Sequence, residues 1–208
     1  PLASLRAAAQ LARHRVESPA AREQLNAIVE QVDRLDLRIA HLLAFSRPAS
    51  FHPLRESARA LVDGALSGFS ALLRERRVDL ELSFPAGLPE ILVDPMRLEQ
   101  ALTELVSNAL AAMPEGGRLG IAARPEPGET GSDGGGVTIE IADSGYGIPA
   151  EILPTVCEPF VTTRPEGTGL GLAIAKRYVE EAGGRLEIAS AVARGTTVRI
   201  WLPVANGA

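Results

Sequence analysis

Two polar side chains one helical turn apart, Glu104 and Asn108, interrupt an otherwise apolar face made by Leu98, Leu102, Leu105, Val106 and Ala109. At positions i and i+4 they lie side by side on a helix. An asparagine on a buried face is costly unless it is bonded. Its amide oxygen suits Mg²⁺, a hard cation that takes a few oxygens and retains waters. The same spacing also serves a surface pair or a helix-end bond. Further along, Asp143 opens the turn DSGYGIP behind an apolar run, Val137 to Ala142, and a second turn, GTGLGL from Gly167 to Leu172, leads straight into an amphipathic pattern. Glycines there let the main chain approach a ligand closely. The second turn also sets unpaired amides and the positive end of a helix dipole where phosphates can sit. A lone Gly-x-Gly usually marks only a turn. Two such turns flanking one short, lid-like segment point to a ligand between them.

The elements that must position these residues follow from periodicity. Asp94 and Pro95 read as N-cap and first-turn proline of a helix running to Met113. Strand-like runs are expected at Val78–Phe84, Ile91–Val93, Leu119–Ala123, Val137–Ala142, Arg185–Ala189 and Thr196–Leu202. A helix is expected from Leu54 to Arg76, and the Gly- and Pro-rich stretch Pro125–Gly136 reads as a solvated insert. The mixture predicts an α+β two-layer sandwich, one helical layer on a mixed sheet, over residues 54–208. Ahead of it, Leu2, Leu5, Ala9, Ala12 and Val16 recur at spacings of three and four, and so do Leu25, Ile28, Val32, Leu35, Ile39 and Leu42 beyond the break at Ser18 and Pro19. Residues 1–47 thus form an all-α helical hairpin, and residues 48–53, within FSRPASFHP, a hinge. A hairpin of this size cannot bury both seams alone. Pairing with a second copy as a dimeric four-helix bundle completes the burial, and resting on the following domain is the alternative.

Composition narrows the partners. The 208 residues carry a formal net charge of −5 and 4% aromatics, a poor match to a phosphate backbone or to base stacking, so nucleic acid is not expected. One cysteine, Cys157, excludes an internal disulfide and fits a reducing cytoplasmic setting. No apolar run is long enough to span a bilayer. The chain opens on Pro1 in mid-pattern and reads as a piece of a longer protein, so any membrane contact is expected only through other parts of it.

Asn108, the DSGYGIP turn, the EPF of Glu158–Phe160 and the GTGLGL turn resemble, in order and spacing, the four boxes of the nucleotide-binding domain of sensor histidine kinases. DNA gyrase, the Hsp90 chaperone and mismatch-repair ATPases share that domain. PLASLRAAAQLA and DRLDLRIAHLLAFSRP resemble the dimerisation and phosphoacceptor hairpin of the same kinases, with short-lid, nitrogen-regulator-type members as the nearest pattern. The resemblance implies ATP and Mg²⁺ as ligands. Asp143 would accept from the adenine amino group, Gly145, Gly147 and Ile148 would form the turn under the purine, and Asn108 would hold the metal. Thr163 in the lid and Gly167, Thr168, Gly169, Leu170, Gly171 and Leu172 would surround the phosphates, and Thr197 would reach the adenine site through water. Glu104 takes the place that activates water in ATPase relatives and in a kinase would orient the acceptor histidine or tune the metal. Arg164 would neutralise γ-phosphate charge or, alternatively, is a flexible surface side chain.

Two departures stand out. Where many relatives place a lysine or second asparagine after the metal ligand, this chain has Ala111, Ala112 and Glu115. The family's phosphoacceptor histidine would fall ahead of Pro1, and His14, His41 and His52 lack the acidic neighbour of an acceptor. The expected function is that of a two-component kinase core, moving the γ-phosphoryl group to a histidine and then to an aspartate of a response regulator, within a homodimer. An ATPase or protein-serine kinase of the same fold, or a nucleotide-sensing dimeric scaffold, is the alternative. Trp201 and Phe69 are expected to pack in the core or between helix and sheet, and Cys157 to be a small buried side chain.

Overall fold

The computed structural model describes residues 2–16, 18–46, 51–127, 135–164 and 167–205, with only the backbone of His14, Arg34 and residues 36–46. The chain divides into two compact units, Pro1–Ala49 and Ser50–Ala208.

In the first unit, α1 (Leu2–Arg15) and α2 (Pro19–Ser46) form the expected hairpin. Pro19 stands at the first position of α2, where its missing N–H costs nothing. Ser18 Oγ accepts from the Ala21 N–H. Arg6 meets Asp33 at 3.1 Å, and Arg13 Nη1 donates to Asn26 Oδ1 at 3.2 Å, fixing the helices antiparallel. Of the seam residues, Ala9 and Val32 are buried, while Leu5 is 57% and Leu35 45% exposed and Ile28 is exposed too. The side chains of Ile39 and Leu42, and the hinge residues 48–50, lie outside what is described. Among the described residues no helix is long and apolar enough to cross a membrane.

The second unit opens with β1 (Leu54–Glu56), α3 (Ala58–Leu66), a 3-10 turn (Ser67–Phe69) and α4 (Ser70–Glu75). The helix expected from Leu54 therefore begins four residues later and is broken at Ser67. Leu54–Glu56 is drawn into an antiparallel ribbon with β3 (Ile91–Val93), and pairing outweighs the helical preference of Leu, Arg and Glu. Beyond β2 (Val78–Ser83) and β3 come α5 (Pro95–Ala112), β4 (Gly117–Glu126), β5 (Gly136–Asp143), a 3-10 turn (Leu153–Thr155), α6 (Gly171–Glu181), β6 (Arg185–Ala191) and β7 (Gly195–Pro203). The main sheet runs β2-β4-β5-β7-β6, parallel between β2 and β4 and antiparallel elsewhere. This is the expected mixed sheet.

Strand parity decides what faces what. Leu119, Ile121, Val137, Ile139, Ile141, Val198, Ile200 and Leu202 point to one face and are buried with Leu98, Leu102, Leu105, Ile174 and Val179 of the helical layer. The other face carries ion pairs: Arg199 Nε donates to Glu140 Oε2 at 2.7 Å, and the Arg185 guanidinium lies 4.8 Å from the centroid of the Trp201 ring. Trp201, expected in the core or between helix and sheet, lies instead on this outer face, because strand residues alternate sides and its neighbours Ile200 and Leu202 take the core side, whereas Phe69 packs against the core as expected.

Candidate functional site

Asp143 ends β5 on the helix-facing side of the sheet, in step with Ile139 and Ile141. Its Oδ1 accepts from Gly145 N–H at 2.8 Å and from Thr196 N–H at 3.3 Å. Oδ2 has no partner among the described residues, so one oxygen is fixed by the main chain and the other is left for an incoming donor. Burial pushes the carboxyl above its ordinary range, and the two main-chain bonds pull it part of the way back. The turn that follows is tied on both sides: Tyr146 N–H donates to Ala112 O at the end of α5, and Tyr146 O accepts from Ala193 N–H in the β6–β7 turn. Gly147, at φ 72°, sits so close to the Ala191 carbonyl that any side chain would collide with it. Ile148 N–H donates to Ser190 Oγ at 2.8 Å, and Ser190 Oγ is 2.9 Å from Thr196 Oγ1.

The threonine that meets Asp143 is therefore Thr196. Thr197, expected there, is opposite Ala142 on the ladder and falls on the outer face with Arg199 and Trp201, because successive strand residues alternate sides. The doublet of threonines hides the choice in the sequence. Counting parity from the buried Val198 and Ile200 reveals it.

On the other side of the cleft, α5 begins as expected, with Asp94 as N-cap and Pro95 in the first turn. Glu104 and Asn108 are half-buried and face the start of α6. A Cβ added at Gly171 would lie 2.6 Å from Glu104 Oε2 and 3.3 Å from Asn108 Nδ2. The absence of a side chain at Gly171 thus lets α6 start directly over these two polar groups. No side chain caps α6, so its first amides, Gly171 to Ala173, face the cleft without a side-chain acceptor. Leu170 is fully buried and Leu172 packs on the core, so both anchor the turn with their side chains and can offer a ligand only their main chain. Thr168 Oγ1 accepts from Leu170 N–H at 3.4 Å, within the turn itself.

The lid segment is fastened at its base, where Phe160 N–H donates to Gly169 O at 2.8 Å with both residues at positive φ. Arg164 Nη2 donates to Asn108 Oδ1, placing the lid guanidinium on the atom expected to hold a metal. Gly167 N–H donates to Arg164 O at 3.0 Å, and Thr163 is exposed. The Cys157 thiol is half-buried and raised by that burial, against the pull of Lys176 and with the push of Glu180, which suits a packing role.

Among the described residues no three His, Cys, Asp or Glu side chains gather as a metal site. A divalent cation here would rest on Asn108 Oδ1 and on oxygens brought by a ligand. This donor set fits Mg²⁺, which keeps waters and takes few protein oxygens. The start of α6, which no side chain caps, stands beside it, the arrangement that receives phosphate.

Residues 93–206 match the family model described as histidine kinase-, DNA gyrase B- and HSP90-like ATPase. The sensor histidine kinase ZraS of Escherichia coli (strain K12) is 33% identical over 205 residues, covering 98% of this chain and 43% of ZraS. The sensory histidine kinase/phosphatase NtrB of Vibrio alginolyticus is 33% identical over 215 residues, 98% of this chain and 59% of NtrB. A crystal structure of full-length ShkA in complex with AMPPNP superposes with a TM-score of 0.76 at 25% identity, covering 100% of this chain and 44% of ShkA. The chain thus spans less than two thirds of the length of each of these three relatives.

Proposed function

The chain belongs to the histidine kinase-, DNA gyrase B- and HSP90-like ATPase family, and from that premise we propose that it is the core of a sensor histidine kinase. It binds Mg·ATP in the second unit and passes the γ-phosphoryl group to a histidine of the hairpin module, and from there to an aspartate of a response regulator. The observation that carries this reading is the pairing, in one cleft, of Asp143 with a free carboxylate oxygen and of Asn108 with the uncapped amides of α6.

In this reading Asp143 Oδ2 accepts from the adenine amino group, while Thr196 and Gly145 hold the carboxylate in place. Gly147 keeps the turn flat so that the purine can pack on it. The amides of Gly171 to Ala173, which no side chain caps, bind phosphate oxygens, and those of Gly167 and Leu170 join them on leaving Arg164 O and Thr168 Oγ1. Asn108 Oδ1, released by Arg164, holds Mg²⁺, which when bound screens the charge of the phosphates. Arg164 then turns to the γ-phosphate. Glu104, beside Gly171, orients the acceptor imidazole, whose nitrogen forms the new bond to phosphorus as the bond to the β-phosphate oxygen breaks and ADP leaves. Such transfer depends on positioning and charge stabilisation more than on covalent help from the protein.

The hairpin pairs with a second copy. Leu5, Leu11, Ile28 and Leu35 stay exposed on a helical pair that has buried Ala9 and Val32, which supports a dimeric four-helix bundle. Its setting is cytoplasmic, as the lone free Cys157 suggests. The test is incubation of the full-length protein with γ-labelled ATP. An acid-labile, base-stable phosphoprotein that passes its label to a receiver domain supports the reading. Free phosphate released with no phosphoprotein would transfer the chain to the ATPase branch of the family.

A further inference from the structure

The chain enters the second unit at Phe51 and His52, which belong to no helix or strand, and both are fastened there. His52 N–H donates to Asp94 Oδ2 at 3.1 Å, while Asp94 Oδ1 takes the Arg97 N–H at 3.4 Å to cap α5. Capping alone would use one oxygen. The second serves the incoming segment and also meets Arg97 Nε at 3.7 Å, and Asp94 is only 8% exposed. The Arg97 guanidinium lies 5.8 Å from the centroid of the Phe51 ring and 5.8 Å from that of Tyr178 on α6, and it bonds Glu181 Oε2. Glu181 Oε1 in turn accepts from Arg177 at 2.7 Å. With its side chain 14% exposed, Arg97 is a partly desolvated planar cation between two rings, a role that a lysine ammonium does not fill. The helices joined in this way are those of the phosphate end: α5 carries Glu104 and Asn108, and α6 begins at Gly171.

We propose that Arg97 is a positioning residue for phosphoryl transfer: it clamps Phe51 toward Tyr178 and so fixes where the tether from the hairpin joins the nucleotide-binding unit. The inference rests on the kinase reading for its consequence and on the contacts above for its existence. Releasing residues 51–53 lengthens the tether by three residues, about 10 Å of added reach. The local concentration of one unit around the other then falls with tether length, and orientation is lost with it.

In the full-length protein, Arg97→Ala is expected to leave the affinity for a non-hydrolysable ATP analogue within about twofold and to slow histidine phosphorylation by about threefold or more. Phe51→Ala truncates a residue that is 39% exposed and leaves α5 and α6 untouched, so it tests the same contact without risk to the fold. It is expected to reproduce the slowing, and the double variant is expected to add little, since both changes break one interaction. Arg97→Lys, which keeps the charge but not the plane, should restore little of the rate. Hydrogen exchange at the His52 amide should rise in Arg97→Ala and Phe51→Ala alike. A phosphorylation rate in Phe51→Ala equal to or above that of the wild type, with exchange at His52 raised, would overturn the positioning role. Unchanged His52 exchange in both variants would overturn the clamp itself, whatever the rates. A wild-type protein that binds the analogue yet labels no histidine would instead sink the kinase reading, and the exchange measurement would still decide the clamp.

Discussion

The two ends of the cleft differ in how much they already hold. At the base end, Asp143 Oδ1 carries two main-chain N–H groups, Tyr146 is tied to Ala112 and Ala193, and Gly147 is wedged beneath Ala191. At the phosphate end, the first amides of α6 have no side-chain cap, and Arg164 occupies the oxygen of Asn108. On the proposed reading, recognition of the base is therefore built into the scaffold, and ligand binding there would order little. Phosphate binding would be an exchange, in which a protein–protein hydrogen bond is given up for contacts to ligand and metal. Such a site separates two tasks: one end sets which nucleotide enters, and the other responds to its charge.

The largest effect should come from the phosphate end. Asn108→Ala removes the oxygen proposed to hold the metal and is expected to slow phosphoryl transfer by an amount on the order of 3–4 kcal/mol, as for other removals of a positioned electrostatic group. Single-turnover kinetics check this, and a near-normal rate would refute the metal assignment. Next, Gly147→Ala should cost about 2 kcal/mol of folding stability, because the left-handed backbone is unfavourable for alanine and its Cβ meets the Ala191 carbonyl. A urea midpoint equal to that of the wild type would show that the base end is softer than described.

Asp143→Asn separates recognition from stability. Losing a charged acceptor for the adenine amino group is expected to weaken nucleotide binding by about 1.5–2 kcal/mol. The asparagine oxygen can still accept from Gly145 and Thr196, so the turn should survive. The folded pKa of Asp143 lies above its unfolded value. The native state therefore takes up this proton first as pH falls. The stability linked to it is fully present below the unfolded pKa and is lost as pH rises through the folded one. Asp143→Asn should then melt higher than the wild type at neutral pH, with the gap closing as pH falls to about 4. A gap that widens on acidification would contradict the burial argument. The smallest effect is expected from Arg164→Ala, about 1 kcal/mol or less in affinity, since it removes both a ligand contact and the competitor for Asn108. A loss as large as that of Asn108→Ala would make the arginine, and not the metal site, the centre of the phosphate end.

Much of this was legible in the sequence because it rests on local rules. The Asp94–Pro95 helix start, the short strand Ile91–Val93 and the two glycine turns are set by residues within a few positions of one another. What escaped depended on partners distant in the chain. Leu54–Glu56 reads as the start of a helix until Ile91–Val93 is beside it. Thr196 and Thr197 are indistinguishable until the strand is assigned a face. The seat of Arg164 on Asn108 and the Phe51–Arg97–Tyr178 cluster join segments with no shared periodicity, so spacing carries no trace of them. The hairpin was legible on both counts: its seams follow from three-and-four spacing, and the expectation that one copy cannot bury them agrees with the exposure of Leu5, Ile28 and Leu35.

The most direct measurement is calorimetric titration of the wild type, Asp143→Asn and Asn108→Ala with a non-hydrolysable ATP analogue, each with and without Mg²⁺. A divided cleft predicts metal-enhanced binding in the wild type. It predicts uniformly weakened but still metal-enhanced binding in Asp143→Asn, and binding in Asn108→Ala that no longer responds to Mg²⁺. Equal loss of the Mg²⁺ response in both variants would show that the two ends act as one. Absence of binding by the wild type at millimolar ligand would contradict the nucleotide site altogether.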